Sequence, residues 1–176
     1  TPGNINDLAM PENQLRLVRR LATGKPLVLV LLENRPRLIT RVAGLCHAII
    51  YAGQPGPHGG GALYELLTGQ FNPSGRLPFT YPRDPHNLLP YDHKHSDSVG
   101  PDADTPGFNP LYEFGHGLSY TTFKYDKLEV PPGPLTQIGS LSLSVEVTNT
   151  GPRKGTETVH VFARDLFAAI VPPVKR

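Results

Sequence analysis

The segment Leu27-Val28-Leu29-Val30-Leu31-Leu32 is apolar at every position, and this run limits the available folds more than any other feature of the chain. A strand with one wet face alternates polar and apolar residues, whereas an unbroken apolar run bounded by turn residues belongs to a strand covered on both faces. The run therefore predicts a central parallel strand, and Ala48-Ile49-Ile50-Tyr51 has the same character. Around them lie helical patterns. Pro11-Glu12 reads as a first helical turn, and Leu15, Val18, Leu21 and Ala22 form one apolar stripe, which predicts a helix over 11–22 stopped by Gly24. A short helix near Arg37 to Ala43 and another from Gly59 to Leu67, ended by Gly69, complete the order α, β, α, β, α.

That alternation predicts an α/β fold, a partial doubly wound α/β sandwich in which ligand-facing loops leave the carboxyl ends of the strands. Two such loops follow the strands: Glu33-Asn34-Arg35-Pro36, and the glycine-rich stretch from Ala52 to Gly60. After Tyr120 the pattern changes to a period of two. Leu141, Leu143, Val145 and Val147 share one face, Ser142, Ser144 and Glu146 the other, Asn149-Thr150-Gly151 makes a turn, and Val159-His160-Val161-Phe162 follows. These predict antiparallel strands of a β-sandwich beginning near Phe123. About three strands fit before Arg176, against the roughly seven of an immunoglobulin-like sandwich, so the second domain reads as truncated. The expected organisation is an α/β part over 1–91, a linker and domain joint over 92–122, and the sandwich over 123–176. Most of the 20 prolines and 18 glycines fall between residues 53 and 134, which predicts extensive ordered loop there.

Charge and hydropathy exclude several functions. The 17 basic and 15 acidic residues are dispersed, with no basic stripe to track a phosphate backbone, so nucleic acid is not an expected partner. The longest apolar run is far shorter than the roughly 20 residues of a membrane-spanning helix. Cys46 is the only cysteine, sits in an apolar run and reads as a small core residue. Thr1 opens with neither methionine nor the pattern of a signal peptide, and the chain reads as an internal fragment.

Two long motifs carry more specific information: Asn72-Pro73-Ser74-Gly75-Arg76-Leu77-Pro78-Phe79-Thr80-Tyr81-Pro82 and Phe114-Gly115-His116-Gly117-Leu118-Ser119-Tyr120-Thr121-Thr122-Phe123. With Leu8 to Gln14, Thr23-Gly24-Lys25-Pro26, Pro55-Gly56-Pro57 with Gly59-Gly60, and Val147 to Gly151, they stand in the order in which the chain resembles glycoside hydrolase family 3 of the β-glucosidase type. The resemblance implies a multidomain retaining enzyme: an N-terminal (β/α)8 barrel, an α/β sandwich, and a fibronectin III-like domain. This chain would cover the end of the second and the start of the third. A barrel aspartate would be the nucleophile and a second-domain glutamate the general acid/base, acting on a β-linked terminal sugar without metal or organic cofactor. The stretch Thr1-Pro2-Gly3-Asn4-Ile5-Asn6-Asp7-Leu8 resembles the segment that follows that glutamate, which would then lie just upstream of Thr1.

No catalytic residue is therefore expected within the chain. A threonine hydroxyl is too weak an acid to protonate a leaving group, and a retaining enzyme needs two carboxyl groups roughly 5 to 5.5 Å apart. Thr1 and Asn4 are the expected substrate-adjacent residues, alongside a plain reading of 1–7 as a loop that leads into the helix. His58, beside glycines at a strand end, reads as a domain contact or an ordinary loop histidine. Glu33, placed to pair with Arg35 or Arg37, and Glu65, on a helix face, read as structural carboxylates. Glu113 belongs to a domain joint, where Tyr112, Phe114, Tyr120 and Phe123 read as aromatic packing. His86, Asp92, His93, His95 and Asp97 match no closed zinc pattern and read as a solvated loop.

Three functions stay open on the sequence: part of an enzyme that removes β-linked glucose or a related sugar from non-reducing ends; a non-catalytic scaffold, interaction subunit or relic of such an enzyme; and a metal-dependent hydrolase built on the histidine-rich loop. The expected partners are a carbohydrate substrate and the barrel of the same protein. By resemblance alone, the expected location is secreted, periplasmic or lysosomal.

Overall fold

The computed structural model describes residues 7–87, 90–92, 108–133 and 139–163. Two compact units divide the chain: Thr1–Gly61 with Arg76–His116 and His160–Arg176, and Ala62–Gly75 with Gly117–Val159.

In the first unit, α1 (Glu12–Leu21) starts after Pro11, whose φ of −54° is preset by its ring and whose carbonyl accepts the amides of Gln14 and Leu15. Glu12 lies in the first turn and Arg19 and Arg20 in the last, each matching the local end of the helix dipole. The chain leaves through Gly24 at φ +76°. Only the first half of the expected stripe is buried: Leu15 and Val18 pack inward while Leu21 is exposed. Next come β1 (Val28–Leu32), α2 (Thr40–Ala43), shorter than expected, β2 (Ala48–Gly53) and α3 (Gly59–Leu67), whose last residues belong to the second unit.

Strands β1 and β2 form a parallel pair, with Val28 opposite Ala48, Val30 opposite Ile50 and Leu31 opposite Tyr51. The register shifts after Leu31, so that Leu32 meets Gly53. Gly53 absorbs the irregularity at φ +57°, and its carbonyl accepts the Glu33 amide at 3.0 Å, extending the pairing to the head of the following loop. The run Leu27–Leu32 is not buried on both faces as expected: Leu31 is buried, but Val28 and Leu32 are exposed. Physically, β1 has one paired neighbour among the described residues, β2, so its ends lack the cover that a central strand receives.

The core gathers Met10, Leu15 and Val18 around α1, Leu31 from β1, Ile39 and Val42 at α2, and Tyr81. Ile39 and Val42 are fully enclosed and Tyr81 is 1% exposed. Tyr81 arrives from the first long motif, which pairs with residues 111–116: Tyr81 and Leu77 donate their amides to the carbonyls of Tyr112 and His116, and Leu111 and Gly115 donate back to Tyr81 and Leu77. The proline-rich stretch is thus held by antiparallel hydrogen bonds although no long strand forms, and Pro78 and Pro82 occupy positions that need donate nothing.

In the second unit, β3 (Phe123–Glu129) and β4 (Ser144–Asn149) pair antiparallel, from Phe123 opposite Asn149 to Glu129 opposite Ser144. A bulge between Asp126 and Glu129 places Lys127 at φ +51°. One expectation fails here. Residues 159–162 form no strand, and the apolar face of Leu141, Leu143, Val145 and Val147 stays exposed. A two-stranded pair is marginal by itself, and His160 and Phe162 group with the first unit, where their rings meet that of Phe114. The unit is held by side chains. Asn72 accepts the Tyr120 amide at 2.8 Å and exchanges hydrogen bonds with the Ser119 hydroxyl, while Tyr120 donates its hydroxyl to the Leu66 carbonyl. Arg153 lies over the Tyr120 ring and donates to the carbonyl of Gly69, the φ +74° residue that ends α3.

Candidate functional site

The carboxyl end of β1 is where a doubly wound sheet presents its chemistry. Glu33, half-buried, begins the loop there. One carboxylate oxygen, Oε1, accepts the Arg37 amide at 3.2 Å and lies 3.1 Å from the Tyr81 hydroxyl, which is 2.8 Å from the Arg37 carbonyl. A phenol carries one proton, and here it faces two oxygens. With that proton on the carbonyl, which can only accept, the Glu33 carboxyl must donate to the phenol oxygen and therefore be neutral. With Glu33 ionised, the hydroxyl turns to it and leaves the carbonyl without that bond.

Burial favours the neutral arrangement. It raises the Glu33 carboxyl above its ordinary range, against the opposing pull of the Arg37 amide, the Tyr81 hydroxyl and the Arg37 charge. Burial, reinforced by the Glu33 charge, raises the Tyr81 phenol far above its usual range, so Tyr81 is neutral at every working pH. Tyr51 at the end of β2 is raised for the same two reasons, and its ring meets Tyr81 edge-on at 6.2 Å.

The expected ion pair of Glu33 with Arg35 or Arg37 is not formed, although the Arg37 charge still acts on the carboxyl. Its Nη1 donates to the carbonyl oxygens of Asp7 at 2.9 Å and Ala9 at 3.3 Å. Around this clamp the Leu38 amide donates to the Leu8 carbonyl, Ala9 bridges parallel to Leu38, and the Asp7 carboxylate caps the turn by accepting the Ala9 amide at 2.7 Å. The loop after β1 thus grips the chain just before α1. Tyr81, which completes the cluster, lies 48 residues from Glu33, and local sequence offers no sign of the partnership.

The other candidates fall elsewhere. Thr1 and Asn4 lie outside the described residues, as do His93, His95 and Asp97. His58 is exposed between β2 and α3; Glu65, Glu113 and His86 are exposed too. Among the described residues, no three His, Cys, Asp or Glu side chains converge as metal ligands. In the first unit, Tyr112 stacks on His116 at 4.9 Å and Phe114 on Tyr91 at 4.8 Å; in the second, Tyr120 is engaged by Arg153. An open hollow runs along Phe108–His116, with Glu113 as its single acidic residue among the described residues. A pair of facing carboxylates, which glycoside hydrolysis needs, is not found in it. No helix among the described residues is long and apolar enough to cross a membrane.

Comparison with known proteins places this geometry in a family. The glycosyl hydrolase family 3 C-terminal domain model matches residues 3–120. The chain is 40% identical over 190 residues to the lysosomal beta glucosidase of Dictyostelium discoideum, covering 99% of this chain and 22% of that protein. It is 35% identical over 181 residues to the periplasmic beta-glucosidase of Salmonella typhimurium, covering 97% and 24%. Among solved structures, a mutant beta-glucosidase from Listeria innocua in complex with laminaribiose superposes with a TM-score of 0.83 at 30% identity, over 98% of this chain and 25% of that one. The chain thus spans about a quarter of the length of the relatives it matches. A model match over most of the chain, joined to relatives of this identity along nearly its whole length, makes the chain a member of glycosyl hydrolase family 3, its C-terminal domain of the β-glucosidase type.

Proposed function

We propose that the chain is part of a retaining glycoside hydrolase that removes β-linked glucose, or a related sugar, from the non-reducing end of glucosides or short glucans. The observation that carries this reading is the family match over residues 3–120, together with relatives named as β-glucosidases and a structural neighbour crystallised with laminaribiose. The chemistry requires one carboxylate to attack the anomeric carbon while a second protonates the departing oxygen, then activates water to release the sugar. A barrel aspartate and a glutamate just upstream of Thr1 would fill these roles, with Thr1 and Asn4 beside the sugar. On this reading the barrel of the same protein is the partner and the carbohydrate the ligand.

The same reading divides the chain into the end of an α/β sandwich over 1–91, a joint over 92–122, and the start of a fibronectin III-like domain over 123–176. A secreted, periplasmic or lysosomal location accords with the names of the two relatives. The test is to express the full-length protein that carries this chain and assay an aryl β-glucoside. Release of the aryl alcohol is expected from that protein and none from residues 1–176 alone. Silence from the full-length protein with both carboxylates intact overturns the reading, and activity from residues 1–176 alone overturns the assignment of catalysis outside them.

A further inference from the structure

We propose that residues 149–158 are a strap that fastens the β3–β4 pair to the end of α3, so that residues 62–75 and 117–159 open as one cooperative unit. This inference goes beyond the proposed function and does not depend on it. The need for a strap comes from β3 and β4, since a two-stranded pair is marginal by itself and the apolar residues of β4 stay exposed. The strap begins as a tight turn. The Asn149 side chain accepts the Thr121 hydroxyl at 2.8 Å and the Gly151 amide at 3.1 Å, and its own amide group donates to the Arg153 carbonyl at 2.7 Å. The Thr150 amide donates to the Thr122 carbonyl at 2.8 Å, which carries the pairing one step past Phe123 and Asn149.

From that turn the strap reaches back 84 positions, twice: Arg153 donates to the Gly69 carbonyl at 3.3 Å, and the Thr158 hydroxyl donates to the Ser74 carbonyl at 2.9 Å. The last carbonyls of a helix lack intrahelical amides four residues on. Leu66 takes the Tyr120 hydroxyl, Gly69 takes Arg153, and the Arg153 guanidinium lies over the Tyr120 ring. The approach is too close for further carbon. A Cβ on Gly155 would lie 2.6 Å from Asn72 Nδ2 and 2.9 Å from Thr121 Cγ2. Asn72 is then the group that must move, and it is the one that holds Ser119 and the Tyr120 amide. The motif that opens at Asn72, the stretch from Ser119 to Thr122 and the turn Asn149-Thr150-Gly151 therefore form one lock, although they stand far apart in the sequence.

Native-state hydrogen exchange on the full-length protein that carries this chain tests the strap. The amides of Thr68, Gly69, Gln70 and Phe71, all bonded to carbonyls of α3, report on its end. Those of β3 and β4 report on the strand pair, and those of β1 and β2 serve as the reference. Two variants loosen the strap without removing a hydrogen bond of the β3–β4 ladder. Gly155→Ala places a methyl group against Asn72, and Thr158→Val removes the donor to Ser74 while keeping a branched side chain. Gly155→Ala is expected to accelerate exchange at 68–71 and in β3 and β4 by one common factor of about tenfold or more, and Thr158→Val by a common factor of about threefold. The amides of β1 and β2 should keep their wild-type rates. Should Gly155→Ala not accumulate, Thr158→Val must show the common acceleration by itself. Acceleration confined to β3 and β4 or to 68–71, no acceleration in a variant that folds, or an equal acceleration in β1 and β2 each overturns the proposal.

Discussion

Glu33 and Tyr81 share a contact that only one proton arrangement satisfies completely, and the consequence is a stability that depends on pH. Burial raises the native carboxyl above its unfolded value, so the native state binds the proton more tightly. Its contribution is full below the unfolded pKa of about 4.3 and is lost as pH rises through the raised native value. Glu33→Gln keeps an acceptor for the Arg37 amide and cannot ionise, and Tyr81 stays free to donate to the Arg37 carbonyl. The melting temperature of the variant should therefore rise relative to wild type as pH increases above the unfolded value of about 4.3; parallel profiles would show that Glu33 is not the source. Asn72 is a second residue of this kind, its side chain serving Ser119 and the Tyr120 amide. Asn72→Ala removes the acceptor of the Tyr120 amide, which water can replace at this exposed site, and should cost about 0.5–1.5 kcal/mol. Hydrogen exchange at the Tyr120 amide should accelerate in step, and unchanged protection there would contradict the assignment.

Apolar patterning at the scale of the element had different outcomes in the two units. α2 is a single turn, yet Ile39 and Val42 are fully enclosed, because α1, β1 and Tyr81 converge on them. In β4 the alternation of Val145 and Val147 with polar residues is as regular as any in the chain, and both valines remain exposed. Ile39→Ala should cost about 2–5 kcal/mol through lost burial and a cavity, whereas Val147→Ala should cost no more than about 1 kcal/mol. Thermal unfolding of the two variants side by side tests this, and equal losses would mean that the β4 face is covered after all. Periodicity states which face an element would bury; a neighbouring layer decides whether it does.

For the molecule as a whole, the α, β, α, β, α order was legible in the sequence because each step is local: Pro11 and Glu12 open a helix, Gly24 and Gly69 close helices in the left-handed region, and the runs from Leu27 and Ala48 are short, rich in branched apolar residues and bounded by turn residues, as strands are. The membership of the family was legible too, since two long motifs in order leave little to chance. Tertiary structure alone decided what those motifs do. Leu77 and Tyr81 pair with residues 111–116, Tyr81 meets Glu33 across 48 positions, and Arg37 bypasses the neighbouring carboxylate for carbonyls 28 and 30 residues back. Residue type and spacing encode propensity and periodicity within a few turns of chain. The partner of a half-buried carboxyl or a guanidinium depends on which distant atoms the fold brings within about 3 Å, and one-dimensional spacing does not carry that distance.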